Sequence, residues 1–163
     1  MHPVHLPLDE LLAGCVVRTT RGSGPGGQHR NKTDSAVALT HTASGVVGQA
    51  SERRSQGQNR VAAIERLRLN LAVQVRGDGA RNEEAWSRWV RGGRVTIAAT
   101  HTDYPSLLAD AIDSLSTHGY ELAPASEELG IASAQILKLL RGYGLALELC
   151  NTRRGEMGLH PWR

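Results

Sequence analysis

The residues in this chain best suited to chemistry stand in one run, Arg21-Gly22-Ser23-Gly24-Pro25-Gly26-Gly27-Gln28-His29-Arg30-Asn31-Lys32-Thr33. Four glycines in six positions cannot build a packed element, because glycine gives up the most backbone freedom on ordering and has no side chain to bury. What such a run offers is bare main-chain N–H groups that a ligand can approach closely. Arg21, Arg30 and Lys32 around it point to an anionic ligand, phosphate-rich partners first among them.

Three readings compete. Gly22-x-Gly24-x-x-Gly27 satisfies the dinucleotide fingerprint on paper, but that fingerprint must open a helix after a strand. Here the run leads through Gln28, Asn31 and Thr33 into the alternating Ala36-Val37-Ala38-Leu39-Thr40-His41, which reads as a strand. A phosphate-binding P-loop fits less well, since no glycine stands at the required place before Lys32-Thr33. A plain Gly/Ser connection between strands is the bland reading.

The longer string favours something else. Arg21-x-Ser23-Gly24-x-Gly26-Gly27-Gln28-x-x-Asn31-Lys32-Thr33-x-Ser35-Ala36-Val37, followed by Glu52-Arg53, Ser55-Gln56 and Asn59-Arg60, closely resembles the peptidyl-tRNA hydrolase domain of class I peptide chain release factors. The resemblance covers about residues 7–76, a little under half of the chain. It implies a GGQ motif at Gly26, Gly27 and Gln28 that enters the ribosomal peptidyl transferase centre and promotes attack of water on the ester of a P-site peptidyl-tRNA. An amide has no pKa near neutrality, so Gln28 cannot be a general base. The resemblance gives its main-chain N–H the role of donor to the leaving 3′ oxygen, an oxyanion-hole-like role, with Gly26 and Gly27 permitting the geometry and the Gln28 side chain orienting water. It also implies rRNA and tRNA contacts by Arg21, Ser23, His29, Arg30, Asn31, Lys32, Thr33, Arg53, Arg54, Gln56, Asn59 and Arg60, and a glutamine methyltransferase acting on Gln28 as a further partner.

Three departures from the family pattern matter. The chain has no phenylalanine, so the serine-proline-phenylalanine motif of the stop-codon readers is missing, and its length leaves no room for their extra domains; codon-independent rescue of stalled ribosomes is expected instead. Where short rescue members carry a lysine-rich tail, this chain has an acidic stretch. Arg30 stands where the family usually has a small apolar residue. The alternatives are an RNA- or ribosome-binding protein with little hydrolytic activity, and a helix-turn-helix regulator of DNA.

Composition agrees with the release-factor reading. Residues 1–77 carry ten Lys/Arg against five Asp/Glu, whereas residues 78–163 carry nine against eleven, so the basic footprint of a nucleic-acid binder lies in the first part. Cys15 and Cys150 form no C-x-x-C pair, and with seven scattered histidines they give no zinc spacing. No metal or other cofactor is expected. No signal segment and no run of some eighteen apolar residues occurs, from which a cytoplasmic protein is expected.

The elements that must position the run follow from periodicity. His2-Pro3-Val4-His5 reads as a loose, solvated lead-in, and Leu8 to Leu12 as a short helix ended by Gly14. Cys15–Thr20, Ala36–His41 and Val46–Ala50 read as strands of an antiparallel meander, with the glycine run projecting from the sheet. From Gln58, Val61, Ile64, Leu67 or Arg68, Leu71 and Val75 mark the apolar face of a long helix over that sheet, with Arg60, Glu65 and Arg66 outward. Trp86 and Trp89, at helical spacing, are expected to anchor onto this first domain, and Arg94 to Thr100 to be a strand. A helix from Pro105 and two short ones meeting at Gly130 resemble a helix-turn-helix, but residues 103–148 hold only Lys138 and Arg141 against seven acids, which favours docking of a protein or rRNA, or a structural role, over reading DNA. The expected class is α+β: a GGQ domain at 1–77, a connecting segment at 78–102, a helical unit at 103–150 and a mobile basic tail at 151–163.

Overall fold

The β-branched run Cys15–Thr20 forms β1, Ala36–His41 forms β2 and Val47–Ala50 forms β3, joined in the order β1-β2-β3 with every pairing antiparallel. The computed structural model describes residues 1–20 and 35–163. The glycine run, with Arg21, Ser23, Gly26, Gly27, Gln28, His29, Arg30, Asn31, Lys32 and Thr33, lies outside the described residues. The fold is mixed α+β, and the chain divides into two compact units, Leu6–Gln74 and Met1–His5 with Val75–Arg163.

In the sheet unit, α1 (Leu8–Ala13) leads into β1, and the long α2 (Gln56–Gln74) packs on β2 and β3. Ser55 starts α2, its hydroxyl accepting the Gln58 amide at 3.4 Å, as a capping side chain does. The buried face of α2 is Asn59, Ala63, Leu67 and Leu71, a strict four-residue spacing against Val37, Leu39 and Ala50 of the sheet. Val61, expected on that face, is 57% exposed. The reason is close approach: a Cβ at Gly48 of β3 would lie 2.2 Å from the Ala63 carbonyl oxygen and 2.3 Å from the Leu67 nitrogen. Small residues at 48 and 63 let the backbones meet there and rotate Val61 outward. Two polar side chains of α2 then cover the outer edge of β3, Arg66 donating to the Gln49 carbonyl at 2.7 Å and Asn70 to the Val47 carbonyl at 2.8 Å, which blocks further strand pairing on that side.

The helical unit is built around α4 (Tyr104–Thr117), whose residues 104–115 are all buried. A helix buried on every face has no use for a polar stripe, so its two carboxylates need fixed partners. Asp110 accepts from the Trp86 indole N–H at 2.7 Å and the Asn82 amide at 3.0 Å, and pairs with His5 at 2.8 Å. Asp113 takes Arg76 at 2.8 Å and the Gly77 amide at 3.0 Å.

Several expectations are corrected here. His2 and His5 are not loose: Pro3–His5 is a 3-10 turn, His2 is 1% exposed, and its Nε2 donates to the Val75 carbonyl at 3.1 Å while Nδ1 accepts the Val4 amide. Trp86 and Trp89 lie on α3 (Glu83–Trp89) as their spacing says, but Trp86 is bonded into the helical unit's own core. The strand expected at 94–100 shrinks to a hairpin of β4 (Val90–Arg91) and β5 (Arg94–Val95).

Helices α5 (Leu122–Leu129) and α6 (Ser133–Gly142) meet at Gly130, φ +67°, as the turn required. Two polar side chains of α6 face the hairpin: Gln135 accepts the Val95 amide at 3.1 Å and Lys138 donates to the Val95 carbonyl at 2.9 Å. That engagement opposes the DNA-reading alternative, since a reading helix must leave such groups free for bases and phosphates. The expected tail begins as a helix instead, α7 (Gly144–Glu156), and its end folds back, Trp162 exchanging bonds of 2.7 and 2.9 Å with Asn151 and lying under the Arg154 guanidinium at 4.2 Å. Buried Ala146 and Cys150 hold α7 in place; two apolar positions were too sparse to read as a periodic face.

Candidate functional site

Thr20, the last residue of β1, is the register partner of Ala36, the first of β2, so the described chain stops and resumes on adjacent strands at the same end. Ser35, where it resumes, is 5% exposed. A buried backbone carbonyl needs a donor, and Asn59 of α2 supplies it, Nδ2 to the Ser35 oxygen at 2.5 Å.

Asn59 does more than this. Its Oδ1 accepts the Arg53 amide at 2.9 Å and its Nδ2 also donates to the Arg53 carbonyl at 2.9 Å. One buried amide therefore ties together the start of α2, the turn carrying Arg53 and Arg54, and the base of the glycine run. Asn59 was expected among the RNA contacts; it is fully buried, with both ends of its amide engaged, and so acts as a clasp. The i,i+4 continuity Asn59-Ala63-Leu67-Leu71 was the signal that could have placed it inside.

Of the other expected contacts, Arg53, Arg54, Gln56 and Arg60 are exposed. Arg53 and Arg54 stand on the turn that Asn59 clasps, and Gln56 and Arg60 on the first two turns of α2. Arg18 joins them as a cation sequence reasoning passed over: it is exposed on β1, two residues before the strand ends. Its place in the strand that leads to the run could have revealed it. Arg66, by contrast, is held, its two guanidinium nitrogens donating to Glu52 at 2.6 and 3.2 Å. Those bonds, with the backbone N–H groups of Glu52 and Ser51 behind them, hold the Glu52 carboxyl down to about 2. The pair contributes only while Glu52 is ionised, fully above its ordinary value near 4.5 and progressively less as pH falls toward 2; half-exposed, it is screened by solvent.

The arrangement is thus a sheet end with a clasped base, flanked by exposed guanidinium groups. It can hold an anionic polymer by charge and bidentate hydrogen bonds. Among the described residues there is no group of three or more side chains suited to a metal ion, and no helix is long and apolar enough to cross a membrane.

Comparison with known proteins gives two findings. Residues 13–100 match the family model described as the RF-1 domain. The chain is similar to peptide chain release factor 2 of Bordetella avium (strain 197N), 40% identical over an alignment of 84 residues, with 46% of this chain and 23% of that protein covered. The chain thus corresponds to about a quarter of the length of this relative.

Proposed function

Because the chain belongs to the class I peptide chain release factor family, we propose that it is a ribosome-dependent hydrolase of the peptidyl-tRNA ester, acting without a codon to free stalled ribosomes. The observation that carries the reading is the string Gly26-Gly27-Gln28, bounded by register partners Thr20 and Ala36 and anchored at Ser35 by Asn59. A group that must reach a distant reaction centre needs a rigid base on which to stand, and two paired strands with a buried amide clasp supply one.

In this reading the Gln28 main-chain N–H donates to the 3′ oxygen as negative charge develops there, and the glycines allow the approach. Donors aimed at a developing oxyanion act only as strongly as they are preorganised. Arg18, Arg53, Arg54 and Arg60 contact rRNA or tRNA phosphates, and the reaction's proton transfers fall to substrate and ribosome. Activity on free peptidyl-tRNA is accordingly negligible. Methylation of Gln28 by a glutamine methyltransferase would bias the side chain toward its productive position. Codon independence is supported by the helical unit, where two polar side chains of α6, Gln135 and Lys138, are engaged by Val95 and Arg141 by the Arg163 carbonyl.

The test is release of labelled peptide from ribosomes stalled on a message lacking a stop codon, with wild-type protein and with Gly27→Ala. The substitution is expected to slow release about 10²-fold or more, the scale for losing an oxyanion donor. Equal release by both proteins overturns catalysis by this run. Ribosome binding without release by either protein would leave the binding-protein reading in its place.

A further inference from the structure

Gly92 and Gly93 both have positive φ, +55° and +72°, the two-residue hairpin turn that matches the twist of paired strands. This turn sets the register of β4 and β5: Val90 opposite Val95, Arg91 opposite Arg94. Directly opposed residues share a face of the ribbon, with Cβ atoms close together. The valine face turns inward, Val95 being 2% exposed, so the arginine face turns out, and both arginines are exposed.

Like charges placed directly opposite destabilise a strand pair. Four other arginines of this unit are neutralised locally, Arg76 by Asp113, Arg81 by Glu83, Arg88 by Glu84 and Asp103, Arg153 by Glu156. Among the described residues Arg91 and Arg94 have no such partner. Net charge hides this: residues 78–163 sum to −2, nine cations less eleven anions, yet Arg81, Arg88 and Arg153 are paired with carboxylates, Lys138, Arg141 and Arg154 bond backbone carbonyls, and Arg91 and Arg94 sit together at one tip with neither among the described residues.

That tip is also rigidly held. Ala132 donates to the Gly93 carbonyl at 3.3 Å, Gln135 accepts from the Val95 amide and Lys138 donates to its carbonyl. Nothing lies within 4 Å of where a Gly92 Cβ would stand, so the backbone between the two guanidinium groups is open to a ligand.

We propose that the β4–β5 tip is a second RNA contact, in which Arg91 and Arg94 grip phosphates of an RNA backbone. Two planar guanidinium groups on one face of a fixed ribbon present paired donors with little freedom left to lose, the arrangement that suits phosphate oxygens. The assignment of RNA as the polyanion rests on the ribosome-directed reading above, whereas the unpaired charge at the tip stands without it.

The experiment measures binding of the full chain to intact ribosomes and to protein-free large-subunit rRNA across a salt series, for wild type, R91A/R94A and R91K/R94K. Loss of two phosphate contacts should flatten the slope of log K against log salt by about 1.4–1.8 on both probes. The lysine pair should retain most of that slope, and neither variant should melt below wild type, R91A/R94A melting slightly higher as the opposed charges are removed. An unchanged slope for a folded R91A/R94A protein overturns the proposal. So does weakened binding to ribosomes with unchanged binding to bare rRNA, which would make a ribosomal protein the partner. Neither result bears on peptide release by wild type against Gly27→Ala, so failure here and failure of the hydrolase reading are distinguishable.

Discussion

At the scale of single residues, the sheet unit depends on two positions where one atom decides the outcome. Asn59 satisfies Ser35 and both backbone groups of Arg53. Asn59→Ala leaves these buried groups unpaired, and we expect a loss of about 2–3 kcal/mol in urea denaturation, with peptide release falling as well because the base of the glycine run loosens. Gly27→Ala, in contrast, should abolish release at unchanged stability, so the two variants separate anchoring from chemistry. Gly48 is the other position. It needs no unusual φ; it is small because the α2 backbone lies where a Cβ would stand. Both neighbours are backbone atoms that cannot turn aside, so Gly48→Ala should cost about 3 kcal/mol or more, read as a fall in melting temperature or outright failure to fold.

At the scale of elements, the first turn of the chain serves the helical unit. Burial lowers His2 to about 4 from 6.5, against the opposing influence of the Val75 carbonyl, with Arg76 and His5 adding to the lowering and Asp110 resisting it. The unfolded chain binds a proton on His2 between pH 6.5 and 4 that the folded chain does not, so stability must fall as pH drops through that window and level off below it. The scale is about 1.4 kcal/mol per pH unit, a total of about 3–4 kcal/mol over the window. Melting temperature followed from pH 7 to 4 should show the decline, and His2→Ala should flatten it. The neighbouring residue pair His5–Asp110 and the Arg76–Asp113 pair hold the two points at which the chain leaves and re-enters this unit, which is why a lead-in that looks dispensable is buried.

At the scale of the whole molecule, each unit carries its own core, one around Leu39, Leu67 and Leu71 and the other around α4. Hydrogen exchange should therefore show two separate protected sets, with Gly142→Ala lowering protection in α4–α7 alone. A Cβ at Gly142 would meet the Tyr104 hydroxyl at 2.5 Å, and that hydroxyl already donates to the Leu139 carbonyl. Uniform loss of protection over both units would contradict this. The charge of the molecule is likewise organised by unit: exposed guanidinium groups flank the base of the glycine run, and in the helical unit Arg76, Arg81, Arg88 and Arg153 are paired with carboxylates while Arg91 and Arg94 are not.

How much of this was legible beforehand differs by element. The three strands, the outward Arg60 and Arg66, and the helix pair at Gly130 follow from period and turn chemistry, because each depends on residues only a few positions apart. The GGQ string was legible as a string. By itself the sequence determined the α+β class, the family, and the candidate chemistry of Gly26, Gly27 and Gln28. Only the tertiary structure decided that Asn59 is a clasp and not an RNA contact, that Val61 faces outward, that His2 and His5 are core residues, that Trp86 belongs to the helical unit, and that Arg91 and Arg94 stand unpaired on one face. Each of these rests on a contact between residues distant in sequence, which helical or strand periodicity cannot register: a buried group's partner is found across the fold, and a surface charge is free or paired according to what the rest of the chain brings beside it.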